Sequence, residues 1–333
     1  MSVQSIIIIL LVVGLIFLVF YLVKNIILPK EVTTDYRTKA KILQAVKTAK
    51  AAVERDPKSA EAHFFLGKAF LADKREEQAF REYRSASRLG ITGRNIPETE
   101  FRETIAGLYT KFHEPEEALR EYILLIKKHP ENPEYYFQAG KLFPGRNRRD
   151  LAEQYLRKAV SLRPAEERYH FELGVQYYLG KKSQYATAEF EAALKANPSN
   201  GSAQLYLGKI LKAAKDYAGA AVYLEKASRD HENKLPALVE LGSCYMSLRM
   251  LDKAIMELER AVNIITKEDE PDSLYARYFL AMCYEKNREF GKAIAQWEII
   301  YSHKKSFRDV GQKLSQYIEY KQENSEKEAP GKS

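Results

Sequence analysis

Cysteine is nearly absent from this chain: two residues in 333, Cys244 and Cys283, and no Cys-x-x-Cys anywhere. With only six scattered histidines, a zinc or iron–sulfur site has no ligand set to stand on. Catalytic signatures are missing too. The sequence holds no Gly-x-x-x-x-Gly-Lys-Ser/Thr, no Gly-x-Ser-x-Gly and no His-Glu-x-x-His, so the phosphate cradle, the nucleophile elbow and the two-histidine zinc helix are all excluded. No catalytic, cofactor-binding or metal-ligating residue is expected, and the function expected is non-enzymatic. Nor does charge of one sign dominate. The 53 basic residues stand against 45 acidic ones, a net charge of +8 and a pI of about 9.1. The sharpest basic cluster, Arg146, Arg148 and Arg149, is shorter than the stripe a duplex needs, so a solvated turn is expected there and nucleic acid is disfavoured as a partner.

What the chain does have is a ladder. Ala45, Ala79, Ala118, Ala152, Ala186, Ala220, Ala254 and Ala293 follow one another at intervals of 34 or 39 residues. Twelve residues before each of the last seven stands a small residue, from Gly67 and Ala106 to Gly242 and Ala281, and three residues beyond each of those a large apolar one, such as Phe70, Tyr177 or Tyr284. Four and seven residues after the alanines come further apolar positions, among them Tyr83 with Ala86 and Trp297 with Ile300. These are helical spacings: small residues let two helices approach closely while aromatic and leucine knobs fill the space between them. A period near 34 residues is that of a two-helix unit, which buries its apolar face only by stacking on copies of itself.

In Phe65-Leu66-Gly67, Leu173-Gly174-Val175-Gln176-Tyr177 and Leu241-Gly242-Ser243-Cys244-Tyr245, with closing prolines at Pro57, Pro130, Pro164 and Pro198, the chain resembles the tetratricopeptide repeat (TPR) family. The resemblance runs from about residue 35 to 320. It departs from the family pattern where Ala106 and Ala281 replace the glycine and where the proline is missing. The expected fold is all-α: a superhelical solenoid of seven helix-turn-helix repeats starting near Ala60, Thr99, Pro133, Glu167, Gly201, Leu235 and Leu274. The expected organisation is a tail at 1–5, a transmembrane anchor at 6–28, a linker and half-repeat helix at 29–59, the repeats at 60–305, a capping helix at 306–320 and a disordered tail at 321–333. The capping helix carries the stripe Phe307, Val310, Leu314 and Ile318. Five-residue inserts within 90–97 and 267–272 account for the two 39-residue intervals and are expected to be surface loops. Both cysteines precede a knob tyrosine at the same register of adjacent repeats, about one packing layer apart. That makes them buried small hydrophobes rather than a disulfide.

From Ile6 to Val23 the sequence is apolar throughout apart from the Tyr21 hydroxyl, and a helix of that length spans roughly 27 Å, close to a bilayer core. No basic stretch precedes the run and no small-x-small site follows it, so an uncleaved single-span anchor is expected over a signal peptide. Residues 1–5 lack Lys and Arg whereas Lys24, Lys30, Arg37, Lys39 and Lys41 crowd the other flank. The positive-inside rule therefore puts the repeats on the cytoplasmic side of the inner membrane, with periplasmic repeats as the alternative. The juxtamembrane lysines suit anionic headgroups.

In the repeat family, first helices line a concave groove, at positions three residues before the small residue and one after it. That resemblance implies a partner-binding set of Phe64, Phe137, Phe171, Leu205, Val239 and Tyr278 with Lys68, Lys141, Lys209 and Met282. Apolar pockets beside positive charge suit a peptide or helix with apolar anchors and acidic neighbours; the opposing reading is that these side chains pack against the next repeat. Chaperone-tail binding is disfavoured, because that clamp uses Lys and Asn where this chain has Phe, Leu and Val. The layout is similar to membrane-anchored bacterial repeat proteins of the lipopolysaccharide assembly protein B type, without their paired-cysteine domain. An anchored scaffold for envelope assembly or regulation follows as the expected function; a structural part of an envelope machine such as a spirochaete flagellar collar, with periplasmic repeats, is the alternative.

Overall fold

A computed structural model describes residues 30–91, 95–143 and 148–317, and the expected tail at 1–5, the anchor at 6–28, the linker's first residue, the end of the capping helix at 318–320 and the tail at 321–333 lie outside them. No strand occurs among the described residues. The chain divides into two compact units at Phe143 and Pro144, inside the third repeat. The first holds α1 (Lys30–Arg55), α2 (Ala60–Ala72), α3 (Glu76–Leu89), α4 (Glu98–Lys111), α5 (Pro115–Lys128) and α6 (Pro133–Leu142). The second holds α7 (Arg149–Leu162), α8 (Glu167–Leu179), α9 (Ser183–Ala196), α10 (Gly201–Ala213), α11 (Tyr217–Ala227), α12 (Lys234–Ser247), α13 (Leu251–Val262), α14 (Pro271–Lys286) and α15 (Phe290–His303). A helix at 310–317, α16, ends its described part. Within each unit every helix packs on the next in sequence, and α12 also meets α14.

The ladder sets the spacing between paired helices. Seven of its alanines, Ala79 to Ala293, are at most 1 % exposed. A Cβ added at Gly208 would stand 2.5 Å from Leu224, so α10 and α11 approach as closely as they do because that position has no side chain. Gly67 faces Tyr83 in the same way, at 2.7 Å. The first rung differs: Ala45 is exposed, with no first helix ahead of α1 among the described residues to receive it. α1 instead docks on the first repeat through Val46, Ala49 and Val53, against Leu66, Ala69 and Phe70.

Six of the first helices end in one turn geometry. The backbone N–H of Arg75 donates to Phe70 O, that of Lys182 to Tyr177 O and that of Glu289 to Tyr284 O, a six-to-one closure that satisfies carbonyls left over at a helix end. The residue before the donor is left-handed in six repeats: Lys74, His113, Lys181, Lys215, Arg249 and Arg288, with φ between 59° and 66°. Glycine is the usual occupant of such a position, yet here it carries long basic side chains or histidine.

The first insert departs from the surface-loop expectation, while the second keeps to it, with Lys267, Asp269 and Glu270 exposed. Ile91 and Ile96 are each 7 % exposed, so the first insert adds apolar burial to the unit. In the second, Glu268 takes a bidentate pair of hydrogen bonds from Arg277, Nε at 2.7 Å and Nη2 at 2.5 Å. There α14 begins at Pro271, three residues before the expected Leu274, with proline in the first turn, where it costs no hydrogen bond. The end of the second unit is closed by Phe307 and Val310, buried in the same cluster as Trp297 and Ile300, with Leu314 and Tyr317 packed against it. Cys244 and Cys283 are free thiols in this core. Burial pushes them up to about 11 and about 12.

Candidate functional site: the first-helix face of the second unit

The expected groove residues divide by burial. Phe64, Phe137, Leu205, Val239 and Tyr278 are between 1 % and 7 % exposed, which corrects the expectation that they open apolar pockets. Their side chains fill the space between helices. Phe64, for example, lies edge-on to Tyr83 with centroids 5.9 Å apart and 6.0 Å from Phe101 of the next repeat. The two lysines expected beside phenylalanines lie over those rings, Lys68 5.8 Å from Phe64 and Lys141 5.3 Å from Phe137. A residue and its i+4 neighbour stack this way on one helix. Lys68 also donates to Glu100 of the following repeat at 2.6 Å. Tyr278 is covered by the closing segment: its hydroxyl donates to Asp309 at 2.8 Å, Phe307 meets its ring edge-on at 5.9 Å and the Arg308 guanidinium lies 5.1 Å from it.

Phe171, Lys209 and Met282 are half-buried and reach the surface. Around Phe171 stands an aromatic group. Its ring is 5.9 Å from Phe190 and 6.0 Å from Tyr206, Tyr206 stacks on Phe190 at 5.1 Å, and Tyr178 meets Tyr206 edge-on at 5.0 Å. Beside it Tyr178, Lys209, Lys212, Ala213 and Glu240 line a depression of about 330 Å³. Lys212 donates to Glu240 at 2.6 Å and lies 5.9 Å from the Phe279 ring. Lys209 makes neither hydrogen bond nor ion pair among the described residues, and its field opposes the burial that raises the Asp272 carboxyl, with Glu240 and Glu270 pushing it further up. The Tyr178 hydroxyl is likewise raised, by burial first and then by Glu240. The face therefore offers half-buried aromatic edges, one ammonium with no hydrogen bond or ion pair among the described residues and one ammonium shared with a carboxylate.

Sequence reasoning missed Tyr178, Tyr206, Lys212 and Glu240. The signal was available: these stand two residues before or four after the small position, and with Lys209 at one after it they make a single helical stripe. The register three before the small residue belongs to the packed side. His170 stands at another register, four residues before Gly174. Its Nδ1 lies 2.6 Å from Glu189 and its Nε2 2.9 Å from Pro164 O, and His63 repeats the arrangement with Glu82 and Pro57 O. Both are latches between paired helices. Among the described residues no three His, Cys, Asp or Glu side chains stand together as a metal site.

Comparison with known proteins agrees with this geometry. Residues 34–92 and 175–233 match one family model described as tetratricopeptide repeat, and residues 133–166 and 211–268 match two others of that description. Anaphase-promoting complex subunit 3 of Schizosaccharomyces pombe is 22% identical over 198 residues, 60% of this chain and 29% of that protein, so the chain spans less than a third of that relative's length. Among solved structures, a tetratricopeptide repeat protein from Parabacteroides merdae superposes with a TM-score of 0.53 at 13% identity, covering 77% of this chain and 97% of its own. PilF of Pseudomonas aeruginosa gives 0.52 at 22% identity, with 69% of this chain and 99% of its own covered. At such identities the likeness is one of fold. The matched segments together take in more than half of the chain on the register traced above, and it belongs to the tetratricopeptide repeat family.

Proposed function

We propose that the chain is a membrane-anchored, non-catalytic scaffold that holds a protein segment against the first-helix face of its second unit. Repeats of this family are protein-interaction scaffolds, and the observation that carries the finer reading is the pairing of half-buried aromatics that reach the surface with positive charge beside them. Tyr178 and Tyr206 offer edges to apolar side chains, while Lys209 makes no hydrogen bond or ion pair among the described residues. A helix or extended segment with apolar anchors and an acidic residue matches both. In the first unit Lys68 and Lys141 offer the same chemistry less freely, since each already rests on a ring.

Peptides selected from a random library on the full chain test this directly. The sequences recovered are expected to combine acidic and apolar residues, and Lys209→Glu with Tyr206→Ala is expected to weaken them at least tenfold. Equal binding by the variant with its helicity intact would remove the site. The anchor and the cytoplasmic placement rest on the apolar run at 6–23 and on Lys24, Lys30, Arg37, Lys39 and Lys41 beyond it. A reporter fused after Tyr320 is expected to be inactive as alkaline phosphatase; activity there would put the repeats on the far side of the membrane and favour the envelope-machine reading instead.

A further inference from the structure

Beside its docking residues α1 carries a stripe of exposed positive charge. Lys39, Leu43, Lys47 and Lys50 follow at intervals of four, four and three, which puts them on one helix face. Leu43 is 46 % exposed at the centre of that face, with the three lysines exposed around it. Among the described residues none of the three pairs with a carboxylate; Lys50 alone has a neighbour of note, the Phe70 ring at 5.9 Å. Many lysines elsewhere are matched: Lys182 with Glu153 at 2.7 Å, Lys212 with Glu240 at 2.6 Å and Lys313 with Glu285 at 2.7 Å. Val46, Ala49 and Val53, which dock α1 on the first repeat, form the adjoining face of the helix, Val46 standing three residues after Leu43 and four before Lys50.

We infer that this face lies on an anionic bilayer surface, the ammonium groups among phosphate headgroups and Leu43 at the boundary with the acyl chains. The inference rests on the anchor reading, and the chain immediately upstream argues for it. The apolar run and its extension end at Leu28, only eleven residues before Lys39. Between them stands Pro29, which has no N–H to give and whose ring obstructs an unbroken helix. On the anchor reading, a change of direction at that proline lets α1 lie in the membrane plane. An acidic protein partner fits less well. A docked helix wants apolar anchors at repeated i, i+3, i+4 and i+7 positions, and this face supplies one, whereas a charged lipid surface asks for no more than one.

The test uses the full chain carrying Leu43→Cys. The native thiols, Cys244 and Cys283, are 0 % exposed, so a water-soluble maleimide reports on position 43. With vesicles of phosphatidylcholine doped with phosphatidylglycerol, labelling is expected to slow at least tenfold relative to phosphatidylcholine alone. Lys39→Glu, Lys47→Glu and Lys50→Glu together should abolish the difference, since each lysine near such a surface is worth about fivefold. Salt at about 1 M, where the screening length is about 3 Å, should do the same. Equal rates on both vesicles, or slowing that appears only when an acidic protein is added, overturn the proposal. Flotation on the neutral vesicles separates it from the anchor. A chain that floats there yet labels equally retains the anchor and loses the lysine face; a chain that floats only on the anionic vesicles, with position 43 protected, loses the anchor and retains the face.

Discussion

Small steric and protonic details at single residues set how these helices pair. A methyl at Gly208 must displace Leu224, whose Cγ would stand 2.5 Å from it. Gly208→Ala is therefore expected to cost roughly 1–3 kcal/mol through overpacking, read as a lower urea midpoint at unchanged slope. That Ala106 and Ala281 occupy the same register shows the fold accepts the methyl where the facing residue is placed to suit it. At the left-handed turn position, Lys215 has φ 66°. Lys215→Gly should stabilise by about 0.5–1 kcal/mol, the strain relieved exceeding the backbone freedom gained by the unfolded chain; a drop in melting temperature would contradict this. His170 gives a pH signature. Hydrogen bonding to Glu189 raises its pKa in the fold, against the opposing effect of burial. The native state thus holds the proton more tightly than the unfolded chain, whose histidine titrates near ~6.5. Its stabilising contribution is complete below about that pH and is lost as pH rises through the raised native value. The stability gap between the wild type and His170→Gln should accordingly narrow from mildly acid to mildly alkaline solution, and a gap independent of pH would rule the latch out as a titrating contact.

Elements in the second unit are joined by knob tyrosines that reach back to the preceding repeat. The Tyr245 hydroxyl donates to Glu225 at 2.6 Å and that of Tyr284 to Glu259 at 2.5 Å. Burial first, and the carboxylate next, push both phenols up. At the end, Tyr317 stacks on Trp297 at 5.5 Å while Lys313 and the Tyr317 hydroxyl both donate to Glu285. Ending the chain before Phe307 would uncover Trp297 and Ile300, both 0 % exposed. Such a truncation is expected to associate in light scattering, and a monodisperse product would show that the closing segment is dispensable. Val310 and Leu314 of the closing stripe were legible because helical spacing survives in a single helix, whereas the helix expected from residue 306 begins at 310 and Phe307 closes the core from the turn before it. The burial of Ile91 and Ile96 was not legible, since nothing in an eight-residue stretch rich in turn formers says which side the neighbouring helices will cover.

For the whole molecule, the seven-fold recurrence of the small residue and alanine specified which helices pair, because stacking of identical units leaves few other arrangements. It specified the binding face less well. Phe64, Phe137, Leu205 and Val239 share a register with the half-buried Phe171, and only the neighbouring helices decide which of them sees solvent. Exposure had to be read from the stripe that joins Tyr206, Lys209 and Lys212 on α10, adjoining Tyr178 and Glu240. Photo-crosslinking from Tyr206 of the full chain in its own cells, set against Tyr185 of a second helix, 63 % exposed, tests the scaffold reading most directly. A discrete protein adduct from position 206, lost on Lys209→Glu and absent from position 185, is the expected result; an adduct from 185 alone, or none from 206 in a folded chain, would contradict it.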